Sequence, residues 1–285
     1  MISDDVPVSI IVPTYNEERN LNACLQSVSW AREIFVVDSF SQDCTEDIAK
    51  AHGTRFFQHT FANYAAQKNW ALDNLDISQE WVLILDADER VSRELAVEIA
   101  NVTQTNDPDC PMAHHMNRRF IFMGRWIRHC GWYPSWSVRL FRRGKARYEE
   151  RPVHEHMVIE GSAGYLEHDL IHEDKRGLTA WLARHNEYSS MEAQARWQAK
   201  QHPGSTGLRS RWHGSPIERK RAIREQIWPW MPSKPLLWFL YLYLLRLGFL
   251  DGWQGLTFCL LQGIQEFHVG LKLRELRGNE QDHLS

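Results

Sequence analysis

Over residues 6–88 the chain alternates short apolar runs with stretches whose apolar positions recur at helical spacing. Val8-Ser9-Ile10-Ile11-Val12-Pro13 has the length and density of a buried strand, and Leu21, Cys24, Leu25 and Val28 then mark one face of a helix. Ile34-Phe35-Val36-Val37-Asp38 predicts a second strand, followed by a helix near 43–51 and a weaker strand at Arg55–Thr60. A helix around 63–75 leads into Trp81-Val82-Leu83-Ile84-Leu85-Asp86, another strand. Strands alternating with helices predict βαβ units and a mostly parallel, Rossmann-like α/β sheet. Ligands of such sheets bind beyond the carboxyl ends of the strands. Three predicted strands run directly into polar residues at that end: Thr14, Asn16 and Glu17; Asp38; and Asp86 with Asp88.

Residues 110–175 are less regular and rich in Arg, His, Trp and Gly; they read as loops and short strands that complete the sheet and form an acceptor side. Residues 177–200 have a helical pattern, breaks follow at 202–207 and 214–216, and 236–271 is the most apolar region. The division expected is an α/β domain over 1–175 and a helical region over 176–285.

Composition narrows the possibilities. The 285 residues are 43% hydrophobic and 24% charged, enough for a substantial core. A net charge of −3 argues against bulk binding to nucleic acid. The five cysteines are scattered and form no C-x-x-C pair, which points away from a disulfide framework or zinc ribbon and towards a reducing compartment. His114, His115, His129 and Cys130 match no familiar zinc spacing. The acidic start lacks a signal-peptide pattern, so a cytoplasmic location is expected.

The pair Asp86 and Asp88 carries the most chemistry. Side chains two apart on an extended chain point the same way, so both carboxylates can share one cation. Hard divalent ions such as Mg2+ or Mn2+ take carboxylate oxygens together with substrate phosphate. The alternative is that the acids merely cap the helix starting near Ser92. Thr14-Tyr15-Asn16-Glu17-Glu18 opens a helix whose N-terminus suits phosphate, or is simply capped by Thr14 or Asn16. Asp38 suits a base edge or ribose hydroxyl, with a capping role for Ser41 or Asp43 as the alternative. Neither G-x-G-x-x-G nor the P-loop pattern occurs, which counts against dehydrogenases and P-loop enzymes.

Four stretches together resemble glycosyltransferase family 2: V-S-I-I-V-P-T-Y-N-E-E (8–18), D-S-F-S-Q-D-C-T (38–45), A-A-Q-K-N-W-A-L (65–72) and W-V-L-I-L-D-A-D-E-R (81–90). Gly124-Arg125-Trp126-Ile127, Gly131-Trp132-Tyr133-Pro134, Arg139 to Gly144, Val153-His154-Glu155-His156 and Arg246 to Gly252 are similar to the branch acting on lipopolysaccharide core or related envelope glycans. The resemblance spans most of the chain, with a gap near 195–230. It implies a GT-A-type fold and inverting transfer from a nucleotide-diphosphate sugar, most readily a UDP-sugar, to a glycolipid hydroxyl. It also implies that Pro13, Thr14, Asn16 and Glu17 line the nucleoside and that Asp38 reads the base. Asp86 and Asp88 become the metal motif with Asp88 the closer ligand, Glu155 the general base, and His172 a further metal ligand. Inversion requires a carboxylate to take the acceptor proton, and cations to hold the departing diphosphate; Lys68, Arg139 and Arg142 suit the second task. An ion pair to Arg151 is the structural alternative for Glu155. Where the branch has Gly after Asp-Ser, this chain has Phe40. Two functional alternatives stand beside this: transfer to a polyprenyl phosphate, needing no base, and a non-catalytic nucleotide-sugar-binding scaffold.

At the far end, Leu236 to Leu245 is a ten-residue run without charge, interrupted by Arg246 and Asp251. Each piece is shorter than the roughly 20 residues a spanning helix needs. The pattern predicts two short amphipathic helices in a membrane interface, beside basic residues at 209–224 that suit anionic headgroups. A buried hairpin or an oligomer interface is the alternative. Thirteen Trp residues, many after 180, fit an interfacial setting.

Overall fold

The structure, a computed structural model, describes residues 5–105, 107, 109–149, 157–201 and 234–284. Glu155 and the basic segment 209–224 lie outside these. The described chain divides into two compact units: Met1–Arg128 with Trp132–Gly177, and Leu178–Ser285 with His129–Gly131.

The first unit is built on one large sheet. β1 (Val6–Thr14), β2 (Ala31–Asp38), β3 (Arg55–Gln58) and β4 (Trp81–Ile84) run parallel in the order β3-β2-β1-β4. The crossovers are α1 (Leu21–Ser27), α2 (Thr45–Ala51) and α3 (Tyr64–Asn74). This half follows the apolar pattern because Ile10, Ile11, Val36, Leu83 and Ile84 are wholly buried. Strands covered on both faces read as continuous apolar runs.

The other half of the sheet is mixed. After β5 (Glu89–Val91) and α4 (Arg93–Gln104) come β6 (Ala113–Phe122), β7 (Arg125–Trp126), β8 (Trp136–Arg142), β9 (Ala146–Tyr148), β10 (Met157–Ile159) and β11 (Ala163–His172). The sheet continues from β4 through β8, β6 and β11 to β5. β8 is antiparallel to both β4 and β6, whereas β6 and β11 are parallel. β6 and β11 are ten residues each, longer than the short strands expected here. Two cores cover the two faces: one gathers Leu21, Leu25, Leu95 and Ile99 from α1 and α4, the other Ala65, Ala71 and Leu75 from and after α3.

The second unit contains α5 (Leu178–Gln201), α6 (Lys234–Leu240), a π-helical turn at Tyr241–Leu245, a 3-10 turn at Gly248–Asp251, and α7 (Gly252–Leu284). The second apolar piece is thus part of a 33-residue helix and not a short one. Asp251 is 2% exposed and accepts from the His129 backbone N–H at 2.8 Å and pairs with its Nδ1 at 2.8 Å. The acid expected to break the segment is satisfied just before α7 begins. Gly263 lets α6 approach closely, since a Cβ there would sit 3.0 Å from the Pro235 carbonyl. No single described helix is long and apolar enough to cross a membrane; Lys234–Leu245 and Gly248–Gly278 qualify only as a pair, bent by 75°.

Candidate active site

The tips of β1, β2 and β4 meet because the strands are parallel and in register. Thr14 lies opposite Asp38, and the Leu85 N–H donates to the Ile11 carbonyl at 3.0 Å just past β4. One helix turn then ties two tips together. Gln67 of α3 donates to the Val37 carbonyl and to Ser39 Oγ at 2.8 Å, while its neighbour Lys68 reaches Asp86 Oδ1 at 3.2 Å.

Asp86 is the most heavily paired acid there. Arg139 NH2 lies 2.6 Å from Asp86 Oδ2 and 2.7 Å from Glu89 Oε1, and Arg118 NH1 is 3.9 Å from the same Glu89 oxygen. Burial opposes ionisation of Asp86, but Arg139 and then Lys68 outweigh it and hold the carboxyl well below the usual carboxylate range. Glu89 is fully buried and accepts the Asp86 N–H at 3.1 Å, which fixes the turn after β4. Helix α4 is capped by Ser92, whose Oγ accepts from the Leu95 N–H. Neither Asp86 nor Asp88 serves as its cap.

Asp88 faces the other way. Its Oδ2 lies 3.4 Å from His172 Nε2 at the end of β11. The Asp88 carbonyl also accepts from the Glu173 N–H at 2.9 Å. Burial disfavours the His172 imidazolium, but Asp88 outweighs it and lifts the group above its ordinary value. Among the described residues no group of three or more His, Cys, Asp or Glu side chains is placed to hold a metal ion. One carboxylate and one imidazole nevertheless suit a hard divalent ion that completes its shell with substrate phosphate and water. Asp88 and His172 face each other, whereas Asp86 has two cationic partners.

Thr14 and Asp38 form a second cluster. Asp38 is wholly buried and accepts from Thr14 Oγ1 at 2.9 Å, the Ser41 N–H at 2.7 Å and Ser41 Oγ at 2.5 Å. It therefore holds the turn after β2. Asn16, at φ 54°, accepts from the Gln42 N–H and locks the same turn to the loop after β1. Pro13 lies opposite Val37 at the base of this loop. Phe40 is 52% exposed with φ 60°, a left-handed backbone that favours glycine. Glu17 contacts Arg176 at 3.0 Å and Asn20 at 2.8 Å. Burial pushes its carboxyl up to about 7 despite Arg176.

Arg142 is not brought to this place. β8 runs antiparallel to β4, so Arg142 lies opposite Trp81, pairs with Glu80 and sits 4.9 Å over the Trp81 ring. That is the amino end of β4, on the order of 15 Å along the strand from Asp86 at about 3.3 Å per residue. The sequence reading also missed Glu89, Arg118 and Arg176, whose contacts with Arg139, Glu89 and Glu17 join residues distant in sequence.

Several known proteins share this chain's pattern. The family model described as glycosyl transferase family 2 matches residues 9–172. The lipopolysaccharide core biosynthesis glycosyltransferase LpsC of Rhizobium meliloti is 29% identical over 205 residues, covering 70% of this chain and 74% of that protein. An uncharacterized glycosyltransferase of Rickettsia typhi is 25% identical over 279 residues, covering 94% of this chain and 87% of its relative. Among solved structures, the mannosyltransferase PcManGT from Pyrobaculum calidifontis, in complex with GDP-Man and Mn2+, aligns with a TM-score of 0.50 at 16% identity. That alignment covers 94% of this chain and 86% of the other, and it speaks to the fold.

Proposed function

Because this chain belongs to glycosyl transferase family 2 and has a GT-A-type fold, we propose that it transfers a sugar, with inversion, from a nucleoside-diphosphate donor to a hydroxyl of a glycolipid or envelope glycan. The observation that carries this reading is the division of labour after β4. Lys68 and Arg139 converge on Asp86, while Asp88 turns to His172. A departing diphosphate needs fixed positive charge, and a site that already orients two cations supplies it without reorganisation.

Pro13, Thr14, Asn16 and Glu17 would border the nucleoside, and Asp38 would shape the base-binding turn through Ser41. Asp88 and His172 would hold Mg2+ or Mn2+, with Asp86 keeping Lys68 and Arg139 in position. When bound, the ion would neutralise charge on the leaving diphosphate. Glu155 would take the proton from the acceptor hydroxyl. The crystallisation of the mannosyltransferase with GDP-Man and Mn2+ supports a nucleotide-sugar donor and a divalent ion; a UDP-sugar is our choice among donors. The name of LpsC supports a lipopolysaccharide-type acceptor.

The setting we propose is the cytoplasmic side of the cell membrane, with the second unit lying on or in the lipid surface. Leu236, Leu244, Leu245, Phe249, Leu250 and Trp253 are exposed by 43–75%. Exposed apolar area of this density marks an interaction surface. Nucleotide release over a panel of UDP- and GDP-sugars, with and without Mn2+, tests the reaction. Release that depends on Mn2+ and falls at least about 100-fold in Asp88→Ala is expected. Release indifferent to both would refute the reading.

A further inference from the structure

The second half of the sheet carries, on the face shared with α3, a band of side chains that the donor site does not use. Side chains two apart on a strand share a face. On β6 these are His115, Asn117, Arg119 and Ile121, and their register partners include Tyr165 and Asp169 on β11, Trp136 on β8 and Trp126 on β7. The contacts run continuously. Tyr165 stacks on His115 at 4.7 Å and meets Trp136 edge-on at 5.1 Å. Asp169 receives Asn117 at 2.8 Å, Tyr133 OH at 3.2 Å and Arg119 at 3.3 Å. Arg119 and Arg128 both lie over the Trp126 ring, at 4.4 and 5.4 Å.

Three properties of this band point to a ligand. Tyr165 is 64% and Trp136 42% exposed, so two large rings offer open faces on a sheet surface. The buried atoms His115 Nδ1, Arg119 Nε and Trp126 Nε1 have no hydrogen-bond partner among the described residues; such groups are costly unless something completes them. Finally, charge is unbalanced: Asp169 is buried and already receives three donors, while Arg128 is exposed. Flat apolar rings at one end of the band and planar guanidinium donors towards the other suit a glycan that offers a sugar face to the rings and an oxyanion to the guanidiniums. Tyr148 and Met157, which flank Glu155's segment in sequence, pack on the same side as α3.

We propose that this band is the acceptor subsite and that it selects a glycan that carries negative charge, as phosphate or carboxylate. This rests on the transferase reading above, and it adds the class of acceptor. Arg119, Trp126 and Arg128 set the anion preference; Trp136 and Tyr165 supply the stacking surface.

The test uses the full chain and three probes, glucose 6-phosphate, glucuronate and glucose, with dissociation constants from ligand-observed NMR. At least one anion is expected to bind about ten-fold more tightly than glucose, the worth of one charge-assisted contact. The tighter of the two tells phosphate from carboxylate. Arg128→Gln, at an exposed position, should erase that preference, and Arg119→Gln alone should reduce it. Equal binding of all three sugars, no saturation by any of them, or a preference that survives Arg128→Gln would overturn the proposal. UDP and GDP titrated into the same samples distinguish the two levels of the reading. Failure of both nucleotides to bind the unsubstituted chain counts against the transferase reading, whereas loss of the anion preference with nucleotide binding intact counts against the acceptor subsite alone.

Discussion

Substituting Arg139 with glutamine removes the cation that joins Asp86 to Glu89. Arg139 is 4% exposed, and one of its terminal nitrogens lies 2.6 Å from Asp86 and 2.7 Å from Glu89. Removing one partner of a buried ion pair leaves the other charge uncompensated, at about 3–5 kcal/mol. With roughly 2–4 °C per kcal/mol for a domain of this size, Arg139→Gln should melt about 10 °C lower at pH 8. The pH dependence gives a second readout. Asp86 is held below its ordinary value of 3.8, so its contribution to stability is complete above that value and is lost as pH falls below it. Without Arg139, Asp86 keeps only its weaker attractions to Lys68 and Arg118, so Arg139→Gln should lose less stability than the parent as pH falls below 3.8. Adding Glu89→Gln removes one orphaned charge and should recover about half of the loss. If transfer stays low in the double variant although the fold is restored, Arg139 also acts on the diphosphate. An Arg139→Gln protein that melts within about 1 °C of the parent, with the same pH profile, would refute the electrostatic argument.

Three further outcomes are expected. Glu17 has its carboxyl raised from 4.5 to about 7, so protonation stabilises the fold below pH 4.5 and that stability fades as pH rises through 7. Metal-free protein should lose about 3 kcal/mol from this group between pH 5 and pH 8, and Glu17→Gln should lack that portion; parallel melting curves would contradict it. Phe40→Gly should raise stability by about 0.5–1 kcal/mol in urea titrations, because release of left-handed strain of about 1–2 kcal/mol exceeds the entropic cost of glycine; a loss would show that the ring contributes more than its backbone costs. Glutamates in place of Leu245, Phe249 and Trp253, which are 75%, 43% and 59% exposed, should leave the melting temperature unchanged and release the protein from anionic vesicles in flotation. Undiminished vesicle binding would place the attachment elsewhere.

The parallel half of the sheet was legible because its strands are buried on both faces and read as unbroken apolar runs. The acids at their tips followed from strand polarity alone. The rest depended on pairings that no local pattern records. Arg139 and Arg142 are three residues apart in the same polar motif, yet β8 enters antiparallel to β4 and carries them towards opposite ends of that strand. Glu89 reads as one more polar residue after Asp88, but Arg139 and Arg118, drawn in from β8 and β6, make it the buried centre of the network. Arg176 reaches Glu17 across most of the catalytic unit's sequence. In the helical region, the run of apolar residues was evident, but Asp251 looked like an interruption until His129 was seen to satisfy it.

On the proposed reading, Asp88 and His172 complete a divalent-ion site only when a nucleoside diphosphate is present. Electron paramagnetic resonance of free Mn2+ measures this directly. Titrating Mn2+ into the protein with a nucleoside diphosphate should deplete the free-ion signal to one equivalent, with weak depletion in its absence and none beyond that of nucleotide alone for Asp88→Ala. Equal depletion by Asp88→Ala and the unsubstituted protein would contradict it.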